Sequence, residues 1–593
     1  MPRTHPLALA LNCTLVMLTT TVLAAPPAGV GGITPGGAAP ERFPRPARPE
    51  FPPSAADLYT IPAVPERGSA AAGALRIQVR HFRLGGAEAH PDQDLDPAAI
   101  EAMLEQARLA KPEGFGIVDL EELADQVTKY YRSRGFLVAQ AYVPQQDVQD
   151  GEVEIRVLEG RLGKIVIDRG ASPETAGAGY SDERLARPFE GEVGQVVLKD
   201  DMERGLLLLR DYPGFDGNGL FRAGSEPGTT DLVIQPRDTK PFAATVTVDN
   251  FGLETSGRDR LRADFTWNNP TGAADRFDLT LLQTFIPTNN LYGGIGYRYP
   301  VFDAATAVGF DLSRNAYDVG GEFKALELSG VSVEGELYAE RQFLRSRTGN
   351  LLGRLSFLRK DAVTQQNDRD LTRDNLAELG LRFSGDFVDT QGITFGELAW
   401  YHGFDGRFGA MEDGGSEAGR LDRSGRGVGA DFDKIELRLN RLQTLPFEGQ
   451  TLLLRLEGQW TPDQLASVEQ YALGGPDSVR AYPRSEYLTD SGVFASAEWF
   501  FRAPGFADAE AFNGHKWGEV FQVSVFADYA KGWINDALRP GESPIRLAGA
   551  GVGLRVEEPN VWLARLQIAT PLTVLDASNG NNPQFFLDFS YRF

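Results

Sequence analysis

From Phe242 to Phe593 apolar and polar residues alternate with a period of two. "FAATVTVDN" sets Phe242, Ala244, Val246 and Val248 against Thr245, Thr247 and Asp249. "LRADFTWNN" sets Leu261, Ala263, Phe265 and Trp267 against Arg262, Asp264, Thr266 and Asn268. "VSVEGELYAER", "TLLLRLEGQW", "VFASAEWFF" and "FQVSVFADY" continue the pattern, and "QFFLDFSYRF" ends the chain with Phe585, Leu587, Phe589, Tyr591 and Phe593 on one face. Successive strand side chains point to opposite faces, so each run predicts a strand with one apolar side. A soluble sandwich alternates too. Three features predict a barrel in lipid instead. The pattern persists over about 350 residues, and the strands are roughly ten residues long, as a tilted span requires. Aromatics (Trp267, Tyr297, Tyr299, Trp460, Trp499, Trp562) cluster at strand ends like an interfacial girdle. The polar stretch that begins at Phe404 reads as an extracellular loop.

Upstream the period changes. "LRIQVRHFRL" alternates as a strand. "PAAIEAMLEQARL" places Ile100, Leu104 and Ala107 at helical spacing behind Pro97. "DLEELADQVTKYYRSRG" predicts a second helix, with Asp119 as N-cap, Glu122 at the capping-box position and Gly135 as the stop. Two strands, "FLVAQAYVP" and "EVEIRVLEG", complete a β-α-α-β-β unit. The order then recurs through "RLGKIVIDR", "SDERLARPFE" capped by Ser181, "LKDDMERGLLLLRDYPG", and two strands around Glu226-Pro227-Gly228. Two copies within about 160 residues make a tandem repeat. The fold class expected is therefore an α+β tandem followed by an all-β transmembrane barrel.

The N-terminus adds a destination. Residues 1–24, apolar from Leu7 to Leu23 behind Arg3, read as a secretory signal with cleavage expected after Ala24. Residues 25–74 are rich in Pro, Gly and Ala, which prevents regular helix and predicts an extended tail with little core of its own. The remaining boundaries expected are 75–160 and 161–238 for the two repeats and 239–593 for the barrel. After the signal there is no apolar run of about 18 residues, so a membrane form must be a closed barrel.

Composition narrows the function. The 593 residues are too many for one core, and a mean hydropathy of −0.27 is what alternating barrel strands average to. A net charge of −23 argues against a nucleic-acid partner. The one cysteine, Cys13, lies in the leader, so neither a disulfide nor thiol chemistry is expected after cleavage. His5, His81, His90, His402 and His515 show no metal-ligand spacing. Asp92, Asp94 and Asp96 lack the glycine and the terminal glutamate of a calcium loop. "GAGVG", Gly549 to Gly553, is a lone glycine run in strand context and reads as close strand packing, not a phosphate loop. No acid/base or nucleophile constellation stands out, so neither an enzyme nor a cofactor is expected.

Several motifs carry a family resemblance. They are Gly135-Phe136 followed by "AQAYVPQQDVQDGEVEIRVLEGRL", "AGSEPGTTDLVI", "DSVRAYP", and "FADYA" from Phe526 to Ala530. The chain resembles the two-partner secretion transporters of the TpsB type, the ShlB/FhaC/HecB-like proteins of the BamA-like superfamily, over about residues 75–593. The resemblance implies two POTRA domains in the periplasm and a sixteen-stranded barrel in the outer membrane of a Gram-negative bacterium. It implies a large exoprotein client, adhesin- or haemolysin-like, and insertion by the barrel-assembly machinery. An assembly factor of the same superfamily is the alternative, and a passive porin a remoter one, since a porin would not need the tandem repeat.

The same resemblance points to a site. Val479, Arg480, Ala481 and Tyr482 match the family's Val-Arg-Gly-Tyr loop, expected to fold back into the lumen. Phe526, Asp528 and Ala530 match its Phe-x-Asp-x-Gly strand motif. In "FQVSVFADY" the parity of Gln522, Ser524, Phe526 and Asp528 opposes the apolar Phe521, Val523 and Val525, so Asp528 is expected to face inward. The resemblance pairs it with Arg480. A guanidinium–carboxylate pair is directional and often bidentate, and removing one partner in a desolvated place costs roughly 3–5 kcal/mol. Ala481 and Ala530 stand where the motifs have glycine, and alanine takes φ > 0 only at a cost.

Overall fold

The computed structural model describes residues 34, 54–61, 63–64, 76–148, 150–170, 179–237, 240–286, 289–537 and 542–593. The predicted signal and most of the predicted tail lie outside them.

In the first unit Asp96 caps the helix Pro97–Ala110, its side chain accepting from the Ala98 N–H at 2.9 Å. Ile100 and Leu104 face the core, as their spacing predicts. The second helix, Ile117–Ser133, begins earlier than its polar signal suggests. Gly116 takes the N-cap position, and the Asp119 carboxylate at N3 reaches back to the Gly116 N–H at 2.8 Å. Asp119 therefore closes the box from inside the helix instead of opening it. Gly135, at φ +92°, ends the helix. Leu120, Leu123, Val127 and Tyr131 pack on a sheet ordered His81–Gly85, Glu152–Leu158, Gln140–Tyr142. The predicted strands there are trimmed: Ile77 makes only a lone bridge to Phe115.

The second unit repeats the scheme with Arg161–Ile167, the Ser181-capped helix Asp182–Ala186, the helix Lys199–Arg210, Gly217–Ala223 and Thr229–Pro236. Gly205 lets Lys199–Arg210 approach closely, because a Cβ there would overlap the Phe189 ring. The expectation of a coreless tail does not hold for residues 54–61. They form a helical turn, Ala55–Leu58, and a two-residue strand, Tyr59–Thr60, that adds to the edge of this sheet, with Leu58 and Tyr59 in its core. Ser54 to Ile61 is a proline- and glycine-free stretch between Pro53 and Pro62, which the average composition conceals.

Sixteen antiparallel strands then close a barrel in sequence order, the last, Gln584–Arg592, pairing with the first, Phe242–Asp249. Strand lengths exceed the expected ten in one region: Leu328–Arg345, Gly349–Gln366 and Arg369–Asp389 run to 18, 18 and 21 residues. Their shared far end, around Gln365 to Arg373, is polar except for the exposed Leu371, so it continues past the apolar band into water. Leu337, Leu355, Leu398, Leu437, Val525, Val552 and Leu587 are exposed outward, with Trp267, Tyr299, Trp460 and Trp499 among the exposed aromatics. Inward positions carry paired charge, such as Arg298 and Arg354 on Glu340 at 2.6 and 2.8 Å. No described helix is long and apolar enough to cross a membrane. The exposed apolar band with a polar interior is the arrangement a lipid-embedded barrel needs.

Candidate functional site: a loop latched inside the barrel

Strands Gln450–Trp460 and Ser491–Arg502 are joined by residues 461–490, which turn back into the lumen. A short hairpin, Tyr471–Leu473 with Tyr487–Thr489, carries the tip. Gly474 and Gly475, at φ +95° and +100°, open the turn that no β-carbon would tolerate well. The tip then closes on itself: the Gly475 N–H donates to Tyr482 O at 3.1 Å, and the Tyr482 N–H to Val479 O at 3.2 Å.

This fold presses Arg480 against the wall. Its Nε and Nη2 donate to the two Asp528 oxygens, both at 2.8 Å, and its backbone N–H donates to Asp528 at 3.1 Å. Nη1 donates to Glu498 Oε2 at 2.7 Å, and Nη2 also reaches Ser496 Oγ at 3.2 Å. The guanidinium lies over the Phe526 ring, 3.3 Å from its centroid. Side-chain exposure is 1% for Arg480 and 0% for Asp528. One cation therefore faces two carboxylates, and the Ser524 hydroxyl, donating to Glu498 at 2.6 Å, satisfies part of the excess. Such a fully bonded, desolvated pair holds one geometry and is costly to break one-sidedly.

The wall supplies these groups through register. On Phe521–Trp533, Ser524, Phe526, Asp528 and Ala530 point in, and across the ladder Ser496 lies opposite Asp528 and Glu498 opposite Phe526. Counting from Ser491, the contact lies five residues down the strand, about 17 Å along it at ~3.3 Å per residue. Neither Ala481 nor Ala530 has a left-handed backbone, so alanine costs nothing there in φ. The Ala481 methyl sits against Gly549, where a Cβ would overlap it. The glycine run Gly549, Gly551 and Gly553 thus makes room for Ala481, Phe526 and Ser524 respectively.

Further ties hold the loop. The Tyr482 hydroxyl donates to Leu575 O at 2.9 Å and shares a 2.6 Å bond with Thr573. Buried Glu486 accepts from Ser578 N–H and Oγ at 2.8 and 2.6 Å. At the root, Glu469 pairs with Lys360 and with Lys434, the latter at 2.8 Å. At the rim, buried Asp490 binds Arg420 through both oxygens and accepts the Leu465 and Asn535 N–H groups at 3.1 and 2.8 Å. Arg420 belongs to the long polar stretch after Phe404, which is thereby drawn onto the loop.

All seven motif residues lie in or on this contact. Glu498 and Ser496 were missed by motif reading, yet the alternation of "VFASAEWFF" already places Phe494, Ser496 and Glu498 on one face. One histidine has a partner that sequence spacing does not show. His90 Nε2 sits 3.0 and 2.9 Å from the Glu159 oxygens, with Glu88 adjoining, and the three ligand atoms lie within 4.8 Å of one another. The contact spans 69 residues of sequence, so spacing did not reveal it. Tyr131 OH and the Glu88 N–H also donate to Glu159, at 3.3 and 3.2 Å, which makes this carboxylate a hydrogen-bonded knot joining helix and strand.

The chain is similar to known proteins along most of its length. The family described as haemolysin secretion/activation protein ShlB/FhaC/HecB matches residues 228–556, and the ShlB-type POTRA domain matches residues 77–160. The heme/hemopexin transporter protein HuxB of Haemophilus influenzae (strain 86-028NP) is 26% identical over 487 residues, covering 80% of this chain and 81% of that protein. The hemolysin transporter protein ShlB of Serratia marcescens is 24% identical over 385 residues, 63% of this chain and 65% of that one. Among solved structures, CdiB from Escherichia coli superposes with a TM-score of 0.65 at 20% identity, covering 90% of this chain and 94% of that chain.

Proposed function

The chain belongs to the haemolysin secretion/activation family of ShlB, FhaC and HecB, and from that membership we propose how it handles its client. It is a two-partner secretion transporter of the outer membrane, with its POTRA domains in the periplasm. Its client is a large secreted exoprotein, taken up unfolded by the POTRA tandem and passed out through the barrel. An exposed strand edge accepts an extended chain by main-chain hydrogen bonding, which suits a client recognised before it folds. The barrel reaches its membrane through the barrel-assembly machinery. Catalysis has no place in this scheme: transport is vectorial because the client folds outside.

The observation that carries the reading is the buried ion pair between Arg480 and Asp528, which sets a loop tip inside the lumen of a closed barrel. Val479, Arg480, Ala481 and Tyr482 are the loop half of a latch, and Phe526, Asp528 and Ala530 the wall half. The latch holds the loop in the position that secretion requires. Deleting the gene should remove one large protein from the culture medium. Restoring the gene should return it, while Arg480→Ala should not, although its barrel still assembles and migrates as a heat-modifiable species. Normal export by a well-assembled Arg480→Ala protein would refute the latch. Loss of several outer-membrane barrels, with no protein missing from the medium, would indicate an assembly factor.

A further inference from the structure

One edge of the sheet in the second POTRA unit is already taken. Tyr59 and Thr60 pair in parallel with Gly219 and Leu220 of the edge strand Gly217–Ala223. Leu58 is wholly buried among the core residues of that unit. The Tyr59 ring meets Phe221 edge-on at 6.1 Å. Arg210 Nη2 donates to the Asp57 carbonyl at 2.6 Å, fixing the turn that leads in. Yet the strand itself is two residues long, with more than 150 residues of chain between it and the strand it joins, Gly217–Ala223. So short a ladder is the kind of contact that opens locally.

The same segment touches the link to the barrel. The Tyr59 hydroxyl donates to Glu203 Oε1 at 3.0 Å, and Arg347, on the turn between two barrel strands, lies 3.7 Å from that same oxygen. The Arg347 turn is docked next door, where Arg345 makes a bidentate pair with Asp211 at 2.7 Å for each bond. Burial and the Glu203 carboxylate push the Tyr59 hydroxyl well above its usual range, so it remains a donor. Glu203 thus divides its charge between the resident strand and a barrel arginine.

We propose that residues 54–61 are a resident placeholder strand that the client displaces from the Gly217–Ala223 edge, and that its departure hands Glu203 over to Arg347. The edge therefore selects an extended client segment bearing an aliphatic residue followed by an aromatic one, the Leu58–Tyr59 pattern, with main-chain pairing beyond it. Occupancy of the edge is passed to the barrel through the Glu203–Arg347 contact, which tightens once the tyrosine leaves. This deepens the secretion reading given above and rests on it for the identity of the displacing strand.

The test uses the full-length transporter in detergent. Thr60→Cys with Leu220→Cys places two sulfurs on a register pair whose Cα spacing in a sheet, about 4.8 Å, falls in the range for a disulfide. Cys13, in the leader, is the only native cysteine. The probe is a fluorescein-labelled peptide of sequence SAADLYTI, the placeholder itself. The reduced protein should bind the probe, the oxidised protein at least about tenfold more weakly, with reductant restoring binding. Tyr59→Phe, which loses only the Glu203 bond, should tighten probe binding about three- to tenfold, as one hydrogen bond is worth. In cells, the oxidised pair should block client export and reductant should release it. Equal probe binding in the two redox states, or full export with the strand cross-linked, would overturn the proposal. The probe experiment contains no client, so its failure leaves the secretion reading standing. The gene-deletion test addresses that reading alone.

Discussion

Replacing Arg480 by alanine removes the cation hydrogen-bonded to two buried carboxylates, Asp528 and Glu498. Three charge-assisted hydrogen bonds from the guanidinium disappear, and the cation over the Phe526 ring with them. Breaking a buried pair one-sidedly costs roughly 3–5 kcal/mol. That cost falls on the docked loop and not on the undocked one, where the carboxylates regain water. At about 1.4 kcal/mol per decade, the undocked population should rise by roughly two to three and a half orders of magnitude. Val479 is fully buried in the docked tip, so a Val479→Cys protein reads the opening directly by its maleimide labelling rate in outer-membrane vesicles. Labelling should accelerate about 100-fold or more when Arg480→Ala is added. Asp528→Ala should accelerate it too, leaving Arg480 with Glu498 alone. The double variant should be less open than the two effects summed, because it removes a charge that each single variant strands. Arg480→Lys should fail to restore docking, since an ammonium cannot make the bidentate contact and also reach Glu498. An unchanged labelling rate in Arg480→Ala, or strict additivity in the double variant, would show that this pair does not hold the loop.

Gly549→Ala should undock the loop as Arg480→Ala does, because its Cβ would collide with the Ala481 methyl, and adding Ala481→Gly should restore slow labelling at position 479. In the first POTRA unit, Ile100→Ala empties a fully buried site and should cost about 2–5 kcal/mol, read as a lower urea midpoint by tyrosine fluorescence. Ser181→Ala removes the cap acceptor for the Arg184 N–H and should cost about 1 kcal/mol of the second unit's stability by the same assay. The Lys111 ammonium, and then the Gly116 N–H, hold the Asp119 carboxyl below its usual range, so its contribution is present above the ordinary carboxylate pKa and lost as pH falls through the lowered one. Acidification from about pH 6 to about pH 3 should therefore narrow the stability gap between wild type and Asp119→Asn, measured by thermal unfolding at each pH.

The barrel was legible because period-two alternation is a local signal, and the inward parity of Asp528 followed from it. Strand length was read less well. Residues such as Gln365 and Thr372 alternate no apolar face, so nothing local marks them as strand, and the neighbouring strand's ladder holds them instead. Asp119 was misplaced by three positions because a glycine cap carries no side-chain signal, whereas a carboxylate at N3 looks like a cap from sequence. The Arg480–Asp528 pair came from the family resemblance and not from spacing. Glu498 was within reach of parity alone. Gly549 opposite Ala481 was not, since the contact depends on where a lumen loop settles on a strand almost 70 residues away. The strand at Tyr59 was hidden for a similar reason: its partner lies beyond the whole first unit, and tertiary packing on Phe221 and Glu203 overrides a proline-rich neighbourhood.

Every strand of the barrel pairs with its sequence neighbour except at the closing seam, where Phe589 meets Val248. The Arg480 partners sit 16, 18 and 48 residues downstream, on the two strands that directly follow the loop. Short loops close at lower entropic cost than the seam, which must join the two ends of the sheet. The Arg480 contact therefore has its wall before the barrel has a wall all round, while the ties of Ala481, Tyr482 and Glu486 to Gly549, Thr573, Leu575 and Ser578 wait for later strands. Docking and closure are separable events in assembly, and docking has the shorter path. A chain that assembles in that order shuts its seam around a loop tip whose arginine is already seated on its wall.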